Sequence, residues 1–319
     1  MEKTFISKPL VAKEFAAMAD SFYLDDKAFS EVSGMVDSFM SAGATDGLFE
    51  RKVMAPSIEK GREVELYVYR PDEVGEGPMP LIYYMHGGGY LVGRANMYAT
   101  LFKKLANTHR ATVITVEYRL ATEAPFPADL NDAYAGLCYC YDHAEELGID
   151  ASRMVIMGES AGGGLSARVA LYNRDHRNLP LRGQVLVYPM LDCRTGTDAD
   201  LYKNRYAGEM VWTREFNRTG WTTLLGGQQL GQEQLPYFSA ALATDLSGLP
   251  QTFIMVGTLD LFVNEDVDYA NRLIQAGVTT QLLTIPGVFH GFDMFGDTPP
   301  QVRLFHTVRD EAIQRMLAE

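Results

Sequence analysis

Six short apolar runs constrain this chain more than any other feature: Leu81–Met85, Ala111–Glu117, Met154–Met157, Gln184–Val187, Phe253–Val256 and Thr280–Ile285. Their hydrophobicity is continuous rather than alternating, as in strands buried on both faces of a parallel sheet. Helical patterns fill the gaps at about 97–109, 127–147, 161–175, 265–276 and 300–318. Upstream, Glu63–Tyr69 alternates charged with apolar residues, which predicts a half-exposed strand near an antiparallel edge. The sum is a βαβ series around one core, an open and mostly parallel α/β sheet.

Two segments break the alternation. Residues 1–46 read as an amphipathic helical stretch carrying Phe15, Met18, Phe22, Phe29, Met35 and Phe39. Residues 194–238 put far more chain between two strands than a crossover needs, and hold both tryptophans, Trp212 and Trp221. Insertions at strand ends are where α/β proteins build substrate sites, so the two segments are expected to form a cap over a pocket. At roughly 150 residues per domain the length suggests two domains. No repeat, low-complexity tract or linker separates them, so residues 1–319 are taken as one domain.

Composition narrows the partners. A charge of −13, from 28 basic and 41 acidic residues, repels phosphate backbones and anionic bilayers, so neither nucleic acid nor a membrane is expected. No apolar run approaches the roughly 18 residues of a membrane span, and the first residues lack the apolar stretch of a signal peptide. Cys138, Cys140 and Cys193 are too few and odd in number for a disulfide framework; reduced thiols in the cytoplasm are expected.

The sharpest chemical signal is Gly158-Glu159-Ser160-Ala161-Gly162, directly after one apolar run and before a helix. A serine on a tight strand-to-helix turn projects its hydroxyl at the carboxyl end of the sheet, and flanking glycines let the backbone pass at that angle. His86-Gly87-Gly88-Gly89-Tyr90 ends the first apolar run. Its bare N–H groups can converge on an oxyanion. A phosphate loop is the rival reading, but Gly-Lys-Ser/Thr is absent and the glycines are too closely spaced for a dinucleotide fingerprint.

A serine nucleophile needs a base, and the base needs an acid to hold its tautomer. His290 follows the last apolar run, whereas His109 reads as a helix-end residue and His143, His176 and His306 as helix-face residues. Asp260 closely follows Phe253–Val256, with Asp266 as the alternative acid. The chain order serine, acid, histidine is that of an α/β-hydrolase. No His-Glu-x-x-His or Cys/His cluster occurs, so neither a metal nor any other cofactor is expected.

From about Leu81 onward the chain resembles the hormone-sensitive-lipase-like branch of the α/β-hydrolases, which holds many bacterial acetyl esterases and carboxylesterases. The resemblance rests on His86–Tyr90, Tyr118–Ala128, Gly158–Gly163, Asp260 and His290-Gly291-Phe292. Thr122, Leu261 and Asn264 depart from the family's pattern. The resemblance implies a mostly parallel eight-stranded sheet with helices on both faces and a helical cap. It also implies a Ser160–His290–Asp260 triad, an oxyanion hole formed by the N–H groups of Gly88, Gly89 and Ala161, and hydrolysis of small esters through an acyl-enzyme. Tyr90, Trp212 and Phe289 are the candidate substrate-binding aromatics, and the aromatic residues of the cap suggest a confined acyl pocket and hence short-chain esters. Non-catalytic receptors on this fold lack a working histidine, which His290 supplies here; a peptidase would be expected to carry a propeller-like repeat domain. The last run, Thr280–Ile285, is a candidate exposed edge for a homodimer.

Overall fold

The computed structural model describes residues 5–24, 27–31, 34, 47–75 and 77–318. Eight strands form one sheet: β1 (Arg51–Pro56), β2 (Glu63–Tyr69), β3 (Met79–Met85), β4 (Thr112–Val116), β5 (Ile149–Glu159), β6 (Leu181–Val187), β7 (Gln251–Gly257) and β8 (Thr280–Ile285). Their spatial order is β1-β2-β4-β3-β5-β6-β7-β8, antiparallel for β1/β2 and β2/β4 and parallel from β4 onward. Each of the six apolar runs lies in or spans a parallel strand. Burial on both faces is what made the runs of β3 to β7 continuous; β8, at the edge, is mostly half-exposed.

The helices flanking the sheet are α2 (Ala99–His109), α3 (Ala128–Asp142), α4 (Ala144–Leu147), α5 (Ala161–Asp175), α8 (Val263–Gln275) and, after the last strand, α9 (Pro300–Leu317). Phe102 and Leu105 of α2 join Phe305 and Ile313 of α9 over one face of the sheet. Leu130 of α3, Leu165 of α5 and Leu273 of α8 pack on the other. The chain leaves β3 through α2 to β4, then returns across β3 to β5. The strand order therefore reverses between β3 and β5, and a crevice opens outside their carboxyl ends. Both glycine motifs end at that crevice.

Three expectations change. The sequence offered no pattern for β1, because an edge strand with exposed alternate positions has no continuous apolar run; β1 displaces β2 from the edge. Residues 5–24 are not one amphipathic helix but a 3₁₀ turn at Lys8–Leu10, the single helical turn α1 (Ala16–Ala19) and a 3₁₀ turn at Asp20–Phe22. Pro9 interrupts the hydrogen-bond ladder there, and the aromatics anchor individually: Phe15 on Phe289 and Phe292, Phe22 on Phe289 and Phe295. Met35 and Phe39 lie outside the described residues. Third, His143 and His176 are not helix-face residues but cap the ends of α3 and α5, while His109 ends α2 and His306 lies on α9 as expected. His109 faces Asp310 across 3.5 Å, while His143 and His176 stack on Tyr139 and Tyr172 just beyond the helices they were placed on.

The insertion before β7 contributes α6 (Arg214–Leu225), capped by the Thr213 hydroxyl accepting from Phe216 N, and the short α7 (Leu235–Phe238). It meets the N-terminal segment directly. Tyr23 bridges Met210, Val211 N donates to Phe22 O and Leu24 N to Glu209 O. The Glu209 carboxylate takes the N–H groups of Ile6 and Ser7 at 3.1 and 2.8 Å. At the far end of the sheet, among the described residues, β8 pairs only with β7, with its side chains mostly half-exposed.

Candidate active site

Ser160 joins β5 to α5 with φ 54° and ψ −123°, a conformation costly for a residue with a side chain. Main-chain bonds hold it there. Its N–H donates to Val187 O at 2.9 Å, and its carbonyl accepts from Gly164 and Met190 at 3.0 and 2.9 Å. The turn closes so tightly that a Cβ on Gly162 would stand 2.1 Å from Met85 O and 2.3 Å from His86 O. Only glycine fits, and the serine hydroxyl is left pointing into the crevice.

His290 sits beyond β8 and Asp260 beyond β7. His290 Nε2 is 2.8 Å from Ser160 Oγ, and its Nδ1 is 2.8 Å from Asp260 Oδ2. Asp260 Oδ1 accepts from Phe262 N at 3.0 Å, so both carboxylate oxygens are engaged. All three side chains are buried. The imidazole is enclosed edge-on by Tyr188 and Phe262, at 4.7 and 5.2 Å between ring centres, with Trp212 at 6.3 Å. Asp266, the alternative acid, makes no bond to His290. It is fully buried in α8 without a hydrogen-bond partner among the described residues, and burial beside Glu265 and Asp260 drives its carboxyl well above the usual range. The departures at Leu261 and Asn264 leave the acid loop intact. Leu261 packs under Gly208, and Asn264 accepts from Asn204 at 2.9 Å, tying the loop to the insertion.

The glycine loop after β3 abuts the serine: a Cβ on Gly87 would lie 3.4 Å from Ser160 Cβ. Among the described residues, the N–H groups of Gly88, Gly89 and Ala161 find no protein acceptor. Ala161 opens α5, so its N–H is one of the orphan donors at the positive end of a helix. His86 acts behind this loop. Its Nδ1 lies 2.7 Å from Gly87 O, its ring stacks on Tyr118, and Tyr118 Oη donates to His86 O at 2.7 Å. Burial pushes the His86 imidazole down to about 4, so it stays neutral and structural. Arg119 in the next motif is likewise structural, forking onto Asp132 and onto Glu59.

These groups surround a cavity of about 70 Å³ whose wall includes Gly87–Gly89, Ser160, His290, Trp212, Phe216, Val211 and Tyr188. Of the three aromatics expected at the substrate, Trp212 lines it. Tyr90 and Phe289 do not. Tyr90 has φ 64°, which turns its ring beneath the loop onto Trp221 and the Arg168 guanidinium. Phe289 adjoins His290 but packs on the opposite side, among Phe15, Phe22 and Phe295. Glu159, Tyr98, Tyr188, Val211, Phe216 and Met294 also stand in the wall, none of them expected there from sequence. Two carried a usable signal, Glu159 inside the serine motif and Tyr188 immediately after β6, at the end of the sheet where ligands bind.

Comparisons with known proteins agree with this architecture. The family profile described as alpha/beta hydrolase fold matches residues 82–294. The chain is 33% identical over 242 residues to the carboxylesterase NlhH of Mycobacterium tuberculosis, covering 75% of this chain and 74% of that one. It is 34% identical over 241 residues to an ethyl acetate hydrolase of Pseudomonas putida, covering 74% and 73%. Among solved structures, a bacterial heroin esterase superposes with a TM-score of 0.87 at 34% identity, over 98% of this chain and all of the other. The chain belongs to the α/β-hydrolase fold family, in the hormone-sensitive-lipase-like branch that its motifs resemble.

Proposed function

We propose that this chain is a serine carboxylesterase that cleaves short-chain acyl esters through an acyl-enzyme. The observation that carries the reading is the line Asp260–His290–Ser160, closed by two 2.8 Å contacts in front of three unengaged N–H groups. The ester carbonyl carbon meets Ser160 Oγ as His290 Nε2 takes the hydroxyl proton, while Asp260 holds the Nδ1–H tautomer. Charge developing on the carbonyl oxygen is taken by the N–H groups of Gly88, Gly89 and Ala161; one such donor is worth about 10²–10³ in turnover. His290 then protonates the leaving alcohol. Water repeats the sequence on the acyl-enzyme and frees the acid and Ser160.

The short-chain preference rests on size. The cavity of about 70 Å³ is small beside the roughly 300–1,000 Å³ of pockets that enclose drug-sized ligands. The relatives named carboxylesterase and ethyl acetate hydrolase support the same reading. Residues about 1–46 and 194–238 serve as a cap on a single hydrolase domain, supported by the Tyr23–Met210 bridge and by Phe29 packing on Trp212 and Phe216. The free thiols of Cys138, Cys140 and Cys193 favour a cytoplasmic setting. The unpaired side of β8 favours a homodimer, expected as twice the chain mass in light scattering; a monomer would remove that part of the reading.

The test is Ser160→Ala beside wild type on p-nitrophenyl acetate, butyrate and laurate. The variant should lose about 10⁶-fold in kcat while keeping its melting temperature. Wild type should prefer acetate and butyrate. Retained turnover in the variant excludes Ser160 as nucleophile, and a laurate optimum excludes the short-chain assignment.

A further inference from the structure

A second pair of acids lies beside the triad. Glu159 directly precedes Ser160, and Asp293 follows His290 by three residues. The Tyr188 hydroxyl bridges them, donating to Asp293 Oδ1 at 2.9 Å and lying 3.4 Å from Glu159 Oε2. The same tyrosine ring meets the His290 imidazole edge-on at 4.7 Å. The groups facing the pair come from five places in the fold. Tyr84 of β3 and Tyr98 before α2 direct their hydroxyls at Glu159; Tyr188 stands between; His290 and Arg309 of α9 act on Asp293. Glu159 Oε1 is buried with no partner among the described residues.

We propose that Asp293 is a second carboxylate acting on His290, its charge held single because the Tyr188 hydroxyl links it to a protonated Glu159. Two buried carboxyls this close cannot both ionise cheaply, so one keeps its proton. Burial and the Asp293 charge push Glu159 up to about 7, and Asp293 also rises through burial but is opposed by Tyr188, Arg309 and His290. The Tyr188 hydroxyl donates to Asp293 at 2.9 Å and stands 3.4 Å from Glu159, which places the charge on Asp293 and the proton on Glu159. This division suits the chemistry, and it rests on the triad reading above. A charge on Asp293 favours the imidazolium that forms when Ser160 attacks. A charge on Glu159, one residue from Ser160, would oppose the oxyanion. Asp293 is a positioning residue: it acts through His290 and Tyr188 and touches no reacting atom.

The test is the acidic limb of kcat/KM against pH, which reports the free enzyme's base. Asp293→Asn removes the charge, so His290 loses its proton more readily and the limb should move about half a pH unit lower. Asp293→Glu should restore the wild-type limb. Glu159→Gln should leave the limb within a third of the Asp293→Asn shift, because Glu159 is already protonated there. Should Asp293→Asn fail to fold, Tyr188→Phe keeps both carboxyls but removes the donor to Asp293, and must move the limb the same way. A limb unmoved in the folded Asp293→Asn protein, or in Tyr188→Phe where that is the arm used, overturns the proposal. So does a Glu159→Gln shift as large as that of Asp293→Asn. Ester turnover surviving in Ser160→Ala would instead remove the triad reading itself, so the two failures are distinct.

Discussion

Ser160 and Trp212 face the same cavity but are held there by different means. Ser160 is fixed by neighbouring backbone: its own N–H and C=O make three main-chain bonds, and Gly162 presses within 2.1 Å, by its missing Cβ, of Met85 O. Everything that sets the serine lies on β3, β5, β6, the loops at their ends and the first turn of α5. The Trp212 wall is held by chain from far away. Val211, β-branched and at φ 59°, sits in a region that side chains of its shape avoid, at a cost of about 1–3 kcal/mol. It is kept there by its N–H bond to Phe22 O, by Leu24 N on Glu209 O and by Phe29 packed on Trp212 and Phe216. The Ser160 side is thus a property of the carboxyl ends of neighbouring central strands, whereas the Trp212 wall depends on two segments nearly two hundred residues apart. Changes on the first side should act on the chemical step, and changes on the second on substrate choice and stability.

The largest separation is expected at Asp260. Asp260→Asn keeps the shape but holds the wrong His290 tautomer, because the amide can donate to Nδ1. kcat should fall about 10⁴-fold on every chain length, with the ratio of acetate to laurate unchanged. Initial rates across the three p-nitrophenyl esters check this. A chain-length-dependent loss would mean that the acid loop also shapes the pocket, and the comparison would fail.

Trp212→Ala probes the other wall and should invert that pattern. Its ring closes the cavity against Gly89, where a Cβ would approach the indole to 2.0 Å. Removing it lengthens the acyl space while leaving Ser160, His290 and Asp260 in place. The ratio of kcat/KM for acetate over laurate should drop about tenfold, the scale of one or two methylenes in an apolar pocket. A uniform fall in kcat would show instead that Trp212 supports His290, whose ring lies 6.3 Å from it.

The same contrast governs what could be read from sequence. The parallel strands and the helices at 161–175 and 300–317 were legible because double-sided burial writes a continuous run and a 3.6-residue period into the chain. Ser160, His290 and Asp260 were legible because each lies just past such a run, and the glycine pattern reports a backbone with no room for side chains. β1 was invisible, since its pattern of exposed and half-buried residues is shared with many loops. The wall was only partly visible. Trp212 stood out as a rare residue in an insertion, but Val211 and Phe216 carry no local mark of facing a pocket. Tyr90 and Phe289 misled because adjacency to a motif says nothing of which way a ring turns. Tyr90 is rotated away by its left-handed backbone, and Phe289 is drawn into the aromatic cluster of Phe15 and Phe22. Those partners lie hundreds of residues away, and no window along the chain contains both.

The smallest effect, and the most direct probe of long-range support, is expected at Glu209. Its carboxylate holds the N–H groups of Ile6 and Ser7 while its carbonyl accepts from Leu24, so one residue anchors the start of the chain at two points. Glu209→Ala deletes two charge-assisted bonds and leaves the main-chain bond to Leu24 intact. Hydrogen bonds to a charged group are worth about 1.5–3 kcal/mol each when buried. Ile6 is exposed enough for water to take its freed N–H, whereas Ser7 is buried, so a net loss of about 2 kcal/mol is expected. In a chain of this size that lowers the melting temperature by a few degrees. The strain stored at Val211 gives the change a second consequence. With residues 5–24 loosened, Val211 can relax and carry Trp212 with it, so the preference for acetate over laurate should weaken two- to threefold while kcat on acetate stays within twofold. Thermal melts and the same three esters measure both effects on one preparation. A stability loss with no change in chain-length preference would mean that the Val211–Trp212 turn holds its shape without the N-terminal segment, and that the wall, like the serine, is set locally.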